Sequence, residues 1–117
     1  MSDVVSFSDG IFFPAQASTV ETIFGYLIEH APDHSEFQQL VARQQSFDYM
    51  GGWFFDDLSP DAFRLLARLV DEMAKDLPTA AAKGNWKEER KPIFYADIER
   101  FRAKLAERLA QLGAESG

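Results

Sequence analysis

The two histidines are the first residues whose spacing could support chemistry. His30 and His34 are four residues apart, with acidic residues beside them. On a continuous helix this spacing places two imidazoles on one face, as in zinc peptidases. However, Pro32 lies between them at a predicted helix boundary, Asp33 stands where the metallopeptidase pattern needs Glu, and no remote third ligand is evident. The pattern favours a solvated turn between helices over a metal site.

Adjacent acids are the second candidate for catalysis. Asp56 and Asp57 follow three aromatic residues and precede a helix start, where either carboxylate can instead bond free backbone amides. The serines fit no nucleophile elbow, and no glycine-rich loop has the spacing that binds phosphate. The chain has no cysteine, which excludes thiolate ligands and cysteine nucleophiles. We therefore expect no enzymatic activity and no cofactor.

One stretch, residues 47–61, combines five aromatic rings and four carboxylates around a Gly-Gly pair. Neighbouring residues of an extended segment point to opposite sides, so Phe54 faces away from Trp53 and Phe55. An exposed ring among carboxylates has the composition of a binding hot spot for a basic protein. The alternative is that all three rings are buried between the second and third predicted helices. The predicted partner-binding residues are Asp48, Tyr49, Trp53, Phe54, Phe55, Asp56, Asp57 and Asp61.

Charge is distributed unevenly along this chain of 117 residues, whose net charge is −7. The first 62 residues carry ten acids and one base, Arg43, whereas the remainder carries eleven bases and nine acids. Such a field disfavours nucleic acid and anionic membranes, and it steers a cationic partner towards the N-terminal half. The alternative is that the charge serves solubility alone. No apolar run reaches the length of a signal segment or membrane span, so a cytoplasmic location is expected.

The apolar periodicity of the first half predicts two helices. One begins at Ser18, whose spacing to Glu21 matches a capping box, and ends near His30. Gly25 inside this helix destabilises it by about 1 kcal/mol relative to Ala, and close packing against a neighbour is the simplest reason for it. A second, weaker helix is predicted over about 35–47.

The second half predicts two longer helices. Ser59 and Pro60 are typical of an N-cap and first helical position, and the helix that follows extends to Leu77. The last helix follows Pro92 and ends near Leu112, with Gly113 as its stop. Its narrow apolar seam suits antiparallel packing on the third helix or self-association; the seam residues are Phe94, Ile98, Phe101, Leu105, Leu109 and Leu112.

The N-terminal residues predict a β-hairpin or extended segment. Four apolar residues share one parity on either side of an Asp-Gly turn signal: Val5, Phe7, Ile11 and Phe13. A hairpin alone is marginally stable in water, so it must pack on the helices or pair with a third strand, for which residues 53–55 are the candidate. Pro14 is expected to end the segment.

Together these features predict one mainly α domain over residues 1–117, a compact four-helix, bundle-like fold with the hairpin laid across it. The functional expectation is a non-enzymatic acidic domain that binds a basic protein, in the manner of an immunity protein or antitoxin that occludes a toxin enzyme. Two alternatives stay open. One is a structural or regulatory homo-oligomer, such as a homodimer, built through the last helix; the other is a small metal-dependent enzyme that uses His30 and His34.

Overall fold

The structure, a computed structural model, describes residues 2–8, 10–33, 35–46, 52–56 and 58–116. The predicted mainly α class with an N-terminal hairpin is confirmed, but the described part contains five α-helices rather than four. The strands are β1 (Ser2–Ser8), β2 (Ile11–Gln16) and β3 (Gly52–Phe54). The helices are α1 (Ala17–His30), α2 (Glu36–Ser46), α3 (Pro60–Lys75), α4 (Leu77–Lys83) and α5 (Lys91–Ser116), with a 3₁₀ turn at Glu88–Arg90.

The three strands form one sheet in the order β2-β1-β3. β1 and β2 are antiparallel, and Gly10 in their connection has a φ of +85°, which glycine adopts without strain. β3 pairs in parallel with β1, so the predicted third strand is confirmed. Pro14 does not end the hairpin, because it pairs with Val4 inside β2 and the strand continues to Gln16. β2 is an edge strand, where a residue without an N–H group is tolerated.

The core lies between one face of the sheet and the helices. The four hairpin residues of shared parity are all buried, as predicted, and Phe7 and Phe13 both contact the α5 ring of Phe101, at centroid distances of 5.3 and 5.1 Å. Each such buried ring contributes about 1.5–3 kcal/mol of hydrophobic free energy. The fully buried phenylalanines come from both layers: Phe7, Phe13, Phe37, Phe55, Phe63, Phe94 and Phe101.

The helix starts follow the sequence signals only in part. Ser59 is the N-cap of α3, as predicted, and its hydroxyl accepts the Ala62 amide hydrogen at 3.2 Å. The capping box predicted at Ser18 is wrong, because β2 leads directly into α1. Gln16 therefore occupies the N-cap position, without a side-chain cap, and Glu21 lies a full turn inside the helix.

The helix bounds in the second half differ from those predicted, at the end of α3 and at both ends of α5. α3 ends at Lys75, and Pro78 lies in the first turn of α4, where its missing N–H group is not needed. α5 begins at Lys91 with Pro92 in its first turn, and it continues past Gly113 to Ser116. A glycine weakens a helix without obliging it to end, so Gly113 is not a stop.

Candidate partner-binding face

The side chains of residues 53–55, three consecutive aromatic residues, alternate between the two faces of the sheet. Trp53 and Phe55 point towards the helices, with 9% and 0% of their surface exposed. Both rings contact Phe24 of α1, at centroid distances of 4.7 and 5.6 Å. Phe54 lies between them and points the other way, with 55% of its surface exposed. Of the three rings, Phe54 is therefore the one exposed to solvent.

Strand register brings a second exposed ring into line with Phe54. Ser6 of β1 is opposite Phe12 of β2 on one side and opposite Phe54 of β3 on the other. Residues opposite one another in a sheet point to the same face, so the two rings flank Ser6 in one row across the three strands. Phe12 has 47% of its surface exposed, whereas Ser6 between the rings has 5%.

A carboxylate lies at the β3 end of this row. Asp56 is exposed, and its Oδ1 atom accepts the Ser6 hydroxyl hydrogen at 3.1 Å. Because Ser6 donates from the solvent side of β1, the Asp56 carboxylate lies on the same side as the two rings. We name Ser6, Phe12, Phe54 and Asp56 the open sheet face.

Among the other predicted site residues, Asp61 forms no contact with this face within the described part of the chain. Asp61 is exposed in the first turn of α3 and forms an ion pair with Arg64. Asp48, Tyr49 and Asp57 lie outside the described residues. Phe12 was missed from the sequence because the prediction followed only one stretch. Its parity, opposite to that of Phe13, is the signal that could have placed it on the solvent side of the hairpin.

The β2 edge of the sheet is protected against further strand pairing. Pro14 has no N–H group to donate, and its carbonyl oxygen accepts a hydrogen bond from Arg100 of α5 at 3.0 Å. Proline and a covering side chain are two ways in which proteins block edge pairing. Contact with a partner is therefore favoured on the face of this hairpin rather than along its β2 edge.

A small cleft lies on the helix side of β3, on the opposite face from the open sheet face. Its volume is about 200 Å³, and Trp53 forms one wall. Gly25 does not pack closely against a neighbour, so the expected reason for this glycine is wrong: an added Cβ would meet nothing within 4 Å. We name this the α1 cleft; it is lined by Val20, Glu21, Phe24, Gly25, Ile28 and Trp53.

Of the two histidines, only His30 lies within the described residues. The His30 ring stacks on Tyr26 at 4.0 Å, and its Nδ1 atom lies 2.9 Å from the Tyr26 carbonyl oxygen. His34 lies outside the described residues. Within the described ranges, no three His, Cys, Asp or Glu side chains lie close enough together to hold a metal ion.

The shifted pKa values among the described acids come from exposed side-chain contacts. The hydrogen bond from Lys83 is the main cause that lowers the pKa of Glu29, and the Ser59 hydroxyl is the main cause that lowers the pKa of Glu36. Burial raises the pKa of Tyr26. Each of these carboxylates favours its charged form, which suits ion pairing and capping rather than proton transfer at neutral pH.

The apolar seam of α5 is mostly used inside the chain. Its first four residues, from Phe94 to Leu105, have at most 1% of their surface exposed, and Leu109 and Leu112 are partly buried against the same core. A homo-oligomer built through this seam would have to open the packing of α5 on α3. No described helix combines the length and apolar character required to cross a bilayer.

Comparison with known proteins gives no relative from which a function could be transferred. No protein-family model, curated protein or solved structure matches the chain. Any proposal about its function therefore depends on its own residues and their geometry.

Proposed function

We propose that the chain is a non-enzymatic protein-binding domain that binds a basic protein through the open sheet face. The observation that carries this proposal is the row of Phe12 and Phe54, each about half exposed, with the Asp56 carboxylate beside it. Half-buried rings on a rigid sheet lose little conformational freedom on binding, and burying their remaining surface is favourable. Aromatic anchors next to a charged group are typical of interface hot spots.

The charges on the chain indicate the sign of the partner's net charge. Asp56 is exposed and forms no ion pair with a described residue, and the chain carries a net charge of −7. A cationic partner is therefore attracted at long range and gains an ion pair at the face, whereas an acidic partner is repelled. The same charge opposes self-association through this face, because a second copy brings another net charge of −7.

An immunity or antitoxin protein is the functional class that fits these features best. Such a protein would cover the positively charged site of a toxin enzyme, with its carboxylates pairing to Lys and Arg side chains. Small size, acidity and a preformed aromatic face support this class, because tight inhibitors present rigid surfaces that need little rearrangement.

The test is capture of a partner from the source cells by wild type and variants. We expect one basic protein to bind wild type and to be lost with Phe12→Ser or Phe54→Ser. Ile93→Ser is the matched control, because Ile93 is similarly exposed, at 50%, and belongs to α5 rather than to the sheet. Asp56→Asn keeps an acceptor for Ser6 but removes the charge. It should weaken binding by about five- to tenfold in low salt and by less in high salt.

Three results would contradict the proposal. The first is a captured protein that binds both Phe variants as tightly as wild type. The second is binding that Ile93→Ser weakens as much as Phe54→Ser does. The third is an affinity for wild type that does not change between low and high salt. Light scattering on the purified chain adds an independent check, because a stable dimer that Phe54→Ser dissociates would assign the face to self-association.

A further inference from the structure

Gly25 is a helix-interior glycine without a packing role among its described neighbours. It lies in the middle of α1, it is exposed, and an added Cβ would meet no atom within 4 Å. Its φ lies outside the left-handed region, so alanine could adopt the same backbone conformation. Because glycine destabilises a helix relative to alanine, this position lowers the stability of α1 without a compensating contact. What the missing side chain does provide is open space in the α1 cleft.

The α1 cleft has the size and lining of an anchor pocket for one side chain. Its volume of about 200 Å³ is smaller than the roughly 300–1,000 Å³ of small-molecule sites. The rings of Trp53 and Phe24 contact each other edge to face at 4.7 Å. Because Gly25 has no Cβ, a ligand has room to approach the apolar surface of these two rings.

The rim of the cleft carries an uncommitted carboxylate. Glu21 is exposed, and its carboxylate forms no hydrogen bond or ion pair with any other described residue. The nearby Lys83 instead pairs with Glu29 at 2.5 Å. A carboxylate at the rim of an apolar cleft attracts a cation through its charge.

We infer that the α1 cleft is a second anchor site, which receives one bulky apolar side chain with a positive charge beside it. The occupant comes from the same basic partner, so this inference rests on the proposed function for its source. Trp53 in the cleft and Phe54 on the open sheet face are consecutive residues of β3 that point to opposite faces. Because β3 is at the edge of the described sheet, one partner that wraps over this edge would reach both sites. The cleft's chemical preference can nevertheless be measured without the partner.

Three small probes of matched size test that preference: 2-phenylethylammonium, 2-phenylethanol and 3-phenylpropionate. They would be titrated into the isotope-labelled wild-type chain while NMR follows the amides of Glu21 and Gly25 and the Trp53 indole. We expect saturable shifts at these groups, with the cation binding about fivefold more tightly than the alcohol and the anion binding most weakly. Glu21→Gln should remove the preference for the cation and leave binding of the alcohol unchanged.

Gly25→Ala separates a binding role of Gly25 from a purely structural one, because the two roles predict different effects on binding of the cation. We expect this variant to melt at a higher temperature than wild type and yet to bind the cation at least fivefold more weakly. Gly113→Ala is the matched control, because an added Cβ at Gly113 also meets nothing within 4 Å in a helix. It should not alter binding.

The inference is overturned if the three probes bind equally, if their shifts lie away from the α1 cleft, or if Gly25→Ala binds the cation as tightly as wild type. None of these results would contradict the proposal that the open sheet face binds a partner. Conversely, the partner-binding proposal fails if the Phe12 and Phe54 variants bind the partner as tightly as wild type. That result does not depend on how the probes bind in the cleft.

Discussion

At the scale of single residues, two consecutive positions at the end of β3 have opposite environments. Phe55 is fully buried and contacts Phe7 at 6.0 Å and Phe37 at 5.7 Å, whereas 55% of Phe54 is exposed. We predict that Phe55→Ala lowers the free energy of unfolding by about 3–5 kcal/mol because it leaves a cavity. Phe54→Ala should change it by about 0.5 kcal/mol or less. Urea denaturation measures both, and equal losses would contradict the assigned orientation.

Gly84 is the glycine for which a close approach matters. An added Cβ would lie 2.3 Å from Thr22 Oγ1 and 2.7 Å from Trp86 Nε1, and these two atoms are themselves hydrogen-bonded at 3.1 Å. We therefore expect Gly84→Ala to destabilise the fold by about 1–3 kcal/mol through overpacking. Gly113→Ala serves as the control in the same denaturation series. A Gly84→Ala variant as stable as wild type would show that the indole can move aside freely.

The sequence could predict that Phe54 opposes its two neighbours, because alternation is local to the strand. It could not predict which side faces water, since that depends on the rings that α1 and α2 bring from elsewhere in the chain. Phe12 joined the site through strand register, and register depends on pairing between distant residues.

At the scale of elements, Glu36 in the first turn of α2 links that helix to the start of α3. Its Oε1 accepts the Ser59 hydroxyl hydrogen at 2.6 Å, and its Oε2 accepts the Ser59 amide hydrogen at 2.9 Å. Both bonds favour the charged carboxylate and hold the pKa of Glu36 below its ordinary value of 4.5. The stabilisation is therefore present above about pH 4.5 and is lost as pH falls through the folded-state pKa.

We predict that Glu36→Gln lowers stability at pH 7 by roughly 0.5–1 kcal/mol, since solvent screens this exposed contact. The difference between wild type and variant should shrink as the pH falls below 4.5. Thermal melts of both proteins at pH 7 and pH 3 measure it. A difference that is as large at pH 3 as at pH 7 would show that the contact does not depend on charge.

The elements were predictable where the signal is local. Ser59 and Pro60 mark the start of α3 correctly, because an N-cap and a first-turn proline act within a few residues. The start of α1 was not predictable in this way, because the chain passes from β2 into the helix without a turn and leaves Ser18 inside it. Asp97 illustrates the limit further: it is buried in α5 and accepts the Thr19 hydroxyl hydrogen of α1 at 3.2 Å, a partner 78 residues away.

At the scale of the whole molecule, charge pairing leaves the negative excess on the N-terminal half. Lys91, Arg100, Arg102 and Lys104 pair with carboxylates of the second half. These pairs reduce the ability of the C-terminal bases to neutralise acids elsewhere. Lys83 and Arg100 are exceptions, because they contact Glu29 of α1 and the Pro14 carbonyl oxygen of β2. The open sheet face and the α1 cleft flank β3, which belongs to the half of the sequence with the acidic excess.

The charge asymmetry and the high aromatic content could be predicted from the sequence, because neither depends on the fold. The location of the candidate site was only partly readable. Its central ring, Phe54, belongs to the stretch that the sequence singled out, but its second ring and the cleft come from β2 and α1. These parts meet only after the hairpin pairs with β3 and packs on the helices.

The most direct measurement is cross-saturation NMR on the complex with the captured basic partner. The isotope-labelled chain is observed while the partner's protons are saturated, so that signals of residues in contact lose intensity. We expect the losses of signal intensity to centre on Phe12, Phe54 and Asp56, and the signal of Ile93 to be unaffected. Losses confined to the α3–α5 surface or to the region of Trp86, with the two exposed rings unchanged, would contradict it.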